Sequence, residues 1–278
     1  MSYRTIVVHA DESRHAPQRL RVAAWLAGEH GAQLLGVAAI GVSRDVFPHG
    51  YKVVPGSLEA SYFAPLHDAA GRALAQFATL AGDAGVAFEQ RLVCDLPSEA
   101  LARLGRFADL VVVSQDDPDE ALSETVVRIP EYVAFTCARP VLVVPTSPVL
   151  PGPLRHVLVA WNGSKEASAA LQAALPLLRR AARVSVVAFR APGDTDLGEP
   201  QHQADLAAFL ARHDVQARIM AVERGLDGGQ ALLGLAAQEG CDLLVMGCYG
   251  HSQFRELFLG GVTRYVLQNA RLPVLMAH

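Results

Sequence analysis

Cysteine is scarce in this 278-residue sequence, and its placement excludes more than its number does. Its four residues, Cys94, Cys137, Cys241 and Cys248, form no C-x-x-C pair and have no nearby histidine pair, so a structural zinc site lacks a ligand set. Long apolar runs are missing too. No segment approaches the roughly 18 uncharged apolar residues of a membrane span. The richest stretch, Ala167 to Leu178, is interrupted by Ser168, Gln172 and Pro176, and Arg179 and Arg180 close it. The apolar part of Met1 to His9 is too short for a signal-peptide core, so the expected location is the cytoplasm, with thiols reduced. Excess charge of one sign is absent as well. Lys and Arg total 24 against 28 Asp and Glu, a formal net charge of −4. That balance offers a polyanion no footprint, and nucleic acid is not an expected partner. Common catalytic signatures are missing: there is no G-x-x-x-x-G-K-[ST] loop, no G-x-S-x-G elbow and no H-E-x-x-H.

What is present is apolar material, 51% hydrophobic residues against 19% charged, and it is arranged twice. Ile6 to Ser13 resembles Val157 to Ser164, Ala108 to Ser114 resembles Cys241 to Gly247, and Pro140 to Val144 resembles Pro273 to Ala277. The last two pairs share an offset of 133 residues and the first has 151, so the first half carries about 18 extra residues early on. Gly41 to His67, rich in glycine, proline and aromatics, reads as the insertion, a long loop or flap. Repetition at this scale means duplicated domains rather than a solenoid. The proline-rich Pro145 to Pro153 suits neither helix nor central strand. The expected division is therefore residues 1–146, a linker 147–153, and residues 154–278.

In the second half, β-branched runs at His156–Ala160, Val184–Phe189, Gln216–Val222, Asp242–Met246 and Pro273–Ala277 alternate with helical stretches. Those stretches are Lys165–Arg180 with Ser164 as N-cap, Asp205–Arg212, Gly229–Gln238 and Val262–Asn269. Uniformly apolar strands suit a parallel sheet covered on both faces, and the alternation predicts a doubly wound α/β fold.

The most informative segment is Met246 to Thr263. It leaves a buried strand, passes Gly247 and Gly250, and reaches a helix at Gly260-Gly261. Glycines at 247 and 250 permit φ > 0 and close approach of a ligand. The first N–H groups of the following helix lack intrahelical partners and favour an anion, with phosphate the obvious occupant and the Thr263 hydroxyl an added donor. Plain turn and cap chemistry is the alternative.

The spacing G-x2-G-x9-G at Gly247, Gly250 and Gly260 resembles the nucleotide-binding signature of the universal stress protein family. Val262 and Thr263 continue as in its ATP-binding members, whereas Gly261 replaces their usual Ser or Thr. Loss of that hydroxyl costs about 1 kcal/mol for one hydrogen bond. The resemblance implies two tandem domains of the adenine nucleotide alpha hydrolase-like fold, each a five-stranded parallel sheet in order 3-2-1-4-5. It implies ATP as ligand, with Mg left open, and pairing of the two domains through their final strands, with a homodimer left open. By the same resemblance Asn162 stands where an Asp contacts the sugar and Ala160 lines the pocket floor. The backbone of Phe189 meets the adenine edge, Met246 packs on the base, and Gly247 lies beside the ribose. His251 falls near the phosphates, its alternative being a solvent-exposed loop histidine. Cys248 follows a loop glycine, but nothing nearby in sequence lowers its pKa.

The offset of 133 places Ser114, Asp117, Val127, Arg128 and Pro130 where the second half has Gly247, Gly250, Gly260, Gly261 and Thr263. The glycines are gone, Pro130 removes an N–H, and Asp116, Asp117, Asp119 and Glu120 add negative charge. Asp11 keeps the family's acid without a phosphate loop. The first half therefore reads as a degenerate copy. The implied function is a stress-response module that binds adenine nucleotide in its second half, with a nucleotide-free scaffold as the alternative. No catalytic residue is assigned; with no lysine in the loop and no carboxylate to orient water, hydrolysis of ATP is at most slow.

Overall fold

The computed structural model describes residues 2–43, 58–120, 128–149, 151–190, 200–223, 228–249 and 261–278. The chain divides into two compact units, Ser2–Arg139 and Pro140–His278.

The first unit runs β1 (Thr5–His9), α1 (Ala16–His30), β2 (Gln33–Ala39), α2 (Leu58–Asp83), β3 (Phe88–Val93), α3 (Pro97–Gly105), β4 (Leu110–Ser114) and α4 (Ile129–Thr136). Its strands are parallel in the order β3-β2-β1-β4. Ile6, Val7 and Val8 of β1 and Leu110 to Val113 of β4 are fully buried, as central strands covered on both faces must be. Pro17 sits in the first turn of α1, where no N–H is needed, and Gly31 ends the helix with φ of 59°. Helix α2 begins at Leu58, so the latter part of the expected flap is helical. The spacing of buried Ala70, Ala73, Leu74, Phe77 and Ala81 gives it one apolar face. Phe77 lies so near β2 that a Cβ on Gly36 would stand 2.5 Å from its ring. The rest of that stretch, 44–57, lies outside the described residues.

The second unit runs β5 (Val141–Val144), β6 (His156–Trp161), α5 (Lys165–Leu178), β7 (Arg183–Arg190), α6 (Pro200–Arg212), β8 (Ala217–Glu223), α7 (Gly228–Gln238), β9 (Leu243–Gly247), α8 (Gly261–Asn269) and β10 (Val274–Ala277). Its order is β5-β10-β9-β6-β7-β8. Only β5 is antiparallel, pairing with β10 through Val143 opposite Val274 and Val141 opposite Met276. The other five strands follow the order 3-2-1-4-5, which puts the topological switch between β6 and β9. Among the described residues no helix is long and apolar enough to cross a membrane.

The duplication is visible in single hydrogen bonds. Asp109 Oδ2 accepts from the N–H groups of Arg4 and Thr5 at 2.7 and 3.0 Å. Asp242 Oδ2 accepts from Arg155 and His156 at 2.7 and 2.9 Å. One carboxylate thus fixes the start of β1 against the start of β4, and its counterpart the start of β6 against the start of β9.

Candidate functional site

At the carboxyl end of β6 the chain turns through Asn162, Gly163 and Ser164. Gly163 has φ of 71°, a left-handed conformation that glycine adopts without strain. Asn162 Oδ1 accepts from the Ser164 N–H at 3.2 Å and from its hydroxyl at 2.7 Å. Ser164 Oγ accepts in turn from the Ala167 N–H at 3.1 Å, the N-cap of α5 expected from sequence. Ala160, just before the turn, is half-buried, and Asn162 is exposed.

Beside this turn β9 ends at Gly247, whose backbone is that of a strand and not left-handed. The structure gives this glycine a reason that the sequence did not suggest. A Cβ there would lie 2.5 Å from the Ala167 nitrogen and 2.6 Å from the Glu166 carbonyl carbon. Gly247 is what lets the first turn of α5 rest on the end of β9. Glu166 is buried in that turn. Burial opposes its ionisation, yet its own N–H, Lys165 Nζ at 3.3 Å and Ser164 together bring its pKa below the ordinary value.

Cys248 is buried, and its N–H donates to the Ala277 carbonyl at 2.9 Å. Burial, with the charge of Glu166 adding, pushes its thiol up to about 12, so it is no nucleophile near neutrality. Tyr249 turns the chain with φ of 59°, and its N–H approaches Thr263 Oγ1 at 3.5 Å. Thr263 is buried within α8, so its hydroxyl meets Tyr249 instead of solvent. His278 Nδ1 lies 3.0 Å from the Cys248 carbonyl oxygen. Gly261, the first residue of α8, is exposed, and a Cβ there would meet nothing within 4 Å. Val262 is half-buried behind it. Met246 is buried in β9, in register with Met276 of β10. The Phe189 backbone lies in β7, in register with Val222. Gly250, His251 and Gly260 lie outside the described residues.

The structure therefore brings Asn162, Gly247 and the start of α5 together, and Tyr249 with Thr263. Among the described residues no hydrogen bond joins the Asn162 turn to α8.

The corresponding place in the first unit is filled. Arg19, only 1% exposed, reaches from α1 across the carboxyl ends of β1 and β4. Its Nε donates to the His9 carbonyl at 2.8 Å, and its two terminal nitrogens donate to Ser114 Oγ at 2.7 Å and to Asp11 Oδ1 at 2.8 Å. His9 Nδ1 lies 3.2 Å from Asp11 Oδ2. Burial works against the Asp11 carboxylate, but Arg19, His9 and Ser13 outweigh it and hold its pKa well below the usual range. By the two offsets, the second half has Ala160 for His9, Asn162 for Asp11, Ala170 for Arg19 and Gly247 for Ser114. Four groups that fill one crevice are thus exchanged together for smaller or uncharged ones.

Arg19 was missed in the sequence, although a signal was there. It is an arginine on the apolar face of a helix whose repeat has alanine. Three of the acids after β4, Asp117, Asp119 and Glu120, are not free charges either. Arg14 bonds Asp117 and Asp119 and its N–H donates to Glu120 Oε1, while His15 Nε2 lies 2.6 Å from Asp117. Asp117, Glu120 and His15 could geometrically surround a metal ion, but Arg14 already supplies the positive charge.

The sequence profile described as the universal stress protein family matches residues 153–278. A Thermus aquaticus universal stress protein is 36% identical over 133 residues, covering 97% of that protein and 44% of this chain. The chain belongs to the universal stress protein family. A crystal structure of a universal stress protein from Archaeoglobus fulgidus is similar in fold over 98% of this chain and 95% of its own, with a TM-score of 0.74 at 15% identity. A functionally unknown protein from Pseudomonas aeruginosa PAO1 superposes with a TM-score of 0.62 at 16% identity, covering 99% of this chain and 92% of its own. For this universal stress protein, likeness of fold spans both halves. The profile match falls on the half where Arg19, His9 and Asp11 have lost their counterparts.

Proposed function

We propose that this universal stress protein is a cytoplasmic stress-response module whose second domain, residues 154–278, binds an adenine nucleotide. ATP is the ligand of choice, with Mg as an optional counter-ion. The proposed site lies at the carboxyl ends of β6 and β9, where doubly wound sheets receive ligands. Ala160, Asn162, Met246, Gly247 and the Phe189 backbone would hold the nucleoside, and Gly250, His251, Gly260, Gly261, Val262 and the backbone of Thr263 the phosphates. The observation that carries the reading is the concerted exchange between the halves. Arg19, His9 and Asp11 fill the first crevice with protein charge, and Ala170, Ala160 and Asn162 leave the second without that network. The exposed, unobstructed start of α8 supports it, since free helix N–H groups favour an anion.

In this reading residues 1–146 form a partner domain that does not bind nucleotide. Antiparallel pairing of β5, the last strand of the first repeat, with β10 supports association of the repeats through their final strands. No group is assigned a catalytic role. The test is mass spectrometry of small molecules released from purified protein, followed by calorimetry with ATP. Adenine nucleotide released by heat, and ATP binding abolished in Gly250→Asp, are expected. No bound nucleotide and no binding of millimolar ATP would leave the nucleotide-free scaffold. Phosphate release above the Gly250→Asp control would add slow hydrolysis.

A further inference from the structure

β3 is the end strand of the first unit's sheet, and among the described residues only β2 pairs with it. That pairing decides which of its backbone groups are occupied. The Ala87 carbonyl accepts from the Leu34 N–H at 2.9 Å, and the Val93 carbonyl accepts from the Ile40 N–H at 3.1 Å. Along a strand, successive residues turn their N–H and C=O groups to opposite sides. Glu89 and Arg91, in step with Ala87 and Val93, therefore turn theirs to β2. Phe88, Gln90 and Leu92 turn theirs outward, to the open edge. One face of the strand is held: the Phe88 ring stands edge-on to Phe77 of α2, 5.6 Å between centroids, and Gln90 Nε2 donates to the Leu74 carbonyl at 3.1 Å. On the other face Glu89 and Arg91 are both exposed, and neither forms an ion pair with a described residue.

We propose that β3 is a docking edge for a second copy of this chain, paired antiparallel about a two-fold axis at Gln90. Outward backbone groups can meet only outward groups, so any such register sets one residue opposite its own copy. Centring on Glu89 sets Glu89 against Glu89, and centring on Arg91 sets Arg91 against Arg91. Centring on Gln90 sets Glu89 opposite Arg91 twice, and Phe88 opposite Leu92 twice. Phe88, Gln90 and Leu92 then exchange backbone hydrogen bonds with the residues facing them. The Glu–Arg pairs fall at the positions between, where side chains of antiparallel strands stand closest. Charge of one sign along an edge repels its own copy, but this edge carries both signs two residues apart and attracts it. The end strand of the second unit, β8, lacks that match: the same operation about its middle residue, Met220, sets Arg218 opposite Val222. β5 and β10 already pair with each other, so the contact uses neither.

The test is sedimentation velocity of the full chain from about 1 to 100 μM, the range suited to a small interface. Wild type is expected to form a dimer whose share rises with concentration. Arg91→Glu and Glu89→Arg each set like charges opposite one another in both pairs, and each is expected to raise the dissociation constant at least about tenfold. The double exchange, Glu89→Arg with Arg91→Glu, restores both pairs and with them the wild-type constant. An equimolar mixture of the two single variants is likewise expected to dimerise, since one strand then carries two acids and the other two arginines. Such recovery is an outcome that misfolding cannot imitate. A wild-type monomer throughout the range, a dimer indifferent to charge reversal, or no recovery in the double exchange overturns the proposal.

Discussion

Gly261 is the position where a single residue most directly tunes the proposed phosphate end. It opens α8, it is exposed, its φ is not positive, and a Cβ would find no atom within 4 Å. Nothing in the structure demands a glycine there. A serine would keep the backbone N–H groups and add one hydroxyl beside them, worth about 1 kcal/mol. Gly261→Ser is expected to tighten ATP binding about fivefold in calorimetry, with stability unchanged. Unaltered affinity would mean that the phosphates do not reach the start of this helix. Thr263 offers no such gain, because its hydroxyl is already buried against Tyr249.

At the scale of elements, the crossing of α5 over β9 fixes the shape of the candidate site, and Gly247 is its hinge point. Gly247→Ala would drive a methyl group into the backbone of Glu166 and Ala167 at about 2.5 Å. Backbone in the first turn of a capped helix cannot rotate aside as a flexible side chain can. A loss of about 1–3 kcal/mol in denaturant unfolding is expected, typical of overpacking. A variant as stable as wild type would show that α5 can lift off the strand. The strands and helices themselves were legible in sequence, because buried parallel strands are apolar throughout and Ser164 marks a helix start. The second unit reproduces the expected elements to within a few residues, apart from an earlier start to α6. The part of the insertion that is helix was not legible, since its proline and glycines suggested a loop while its apolar spacing persisted. The site was half legible. Gly247 could be found by spacing, but its contact with α5 depends on a crossing that no local pattern encodes. Arg19 needed the third dimension, because it joins β1 to β4 across 95 residues of sequence.

Across the whole molecule, the two units carry different acid sensitivities. Burial pushes the His9 imidazole down to about 4, against the pull of Asp11 and with the push of Arg19. Its unfolded value is about 6.5, so between those limits the unfolded chain binds a proton that the folded unit refuses. The first unit therefore loses stability as pH falls from about 6.5 to about 4. Asp117 adds a lower window. His15, foremost among its partners, and Arg14 hold it down to about 2. The stability it contributes is complete above about 3.9 and disappears as pH falls from there to about 2. In the second unit Ala160 stands where His9 does, so the upper window has no counterpart at that place. His9→Ala copies the second unit's residue into the first and removes the proton-refusing group. Thermal unfolding followed from pH 7 to pH 4 should show a falling midpoint for wild type, amounting to about 1–3 kcal/mol, and a flatter course for the variant. Parallel profiles would place the acid sensitivity elsewhere and would deny the Arg19–Asp11–His9 network its hold on the first unit.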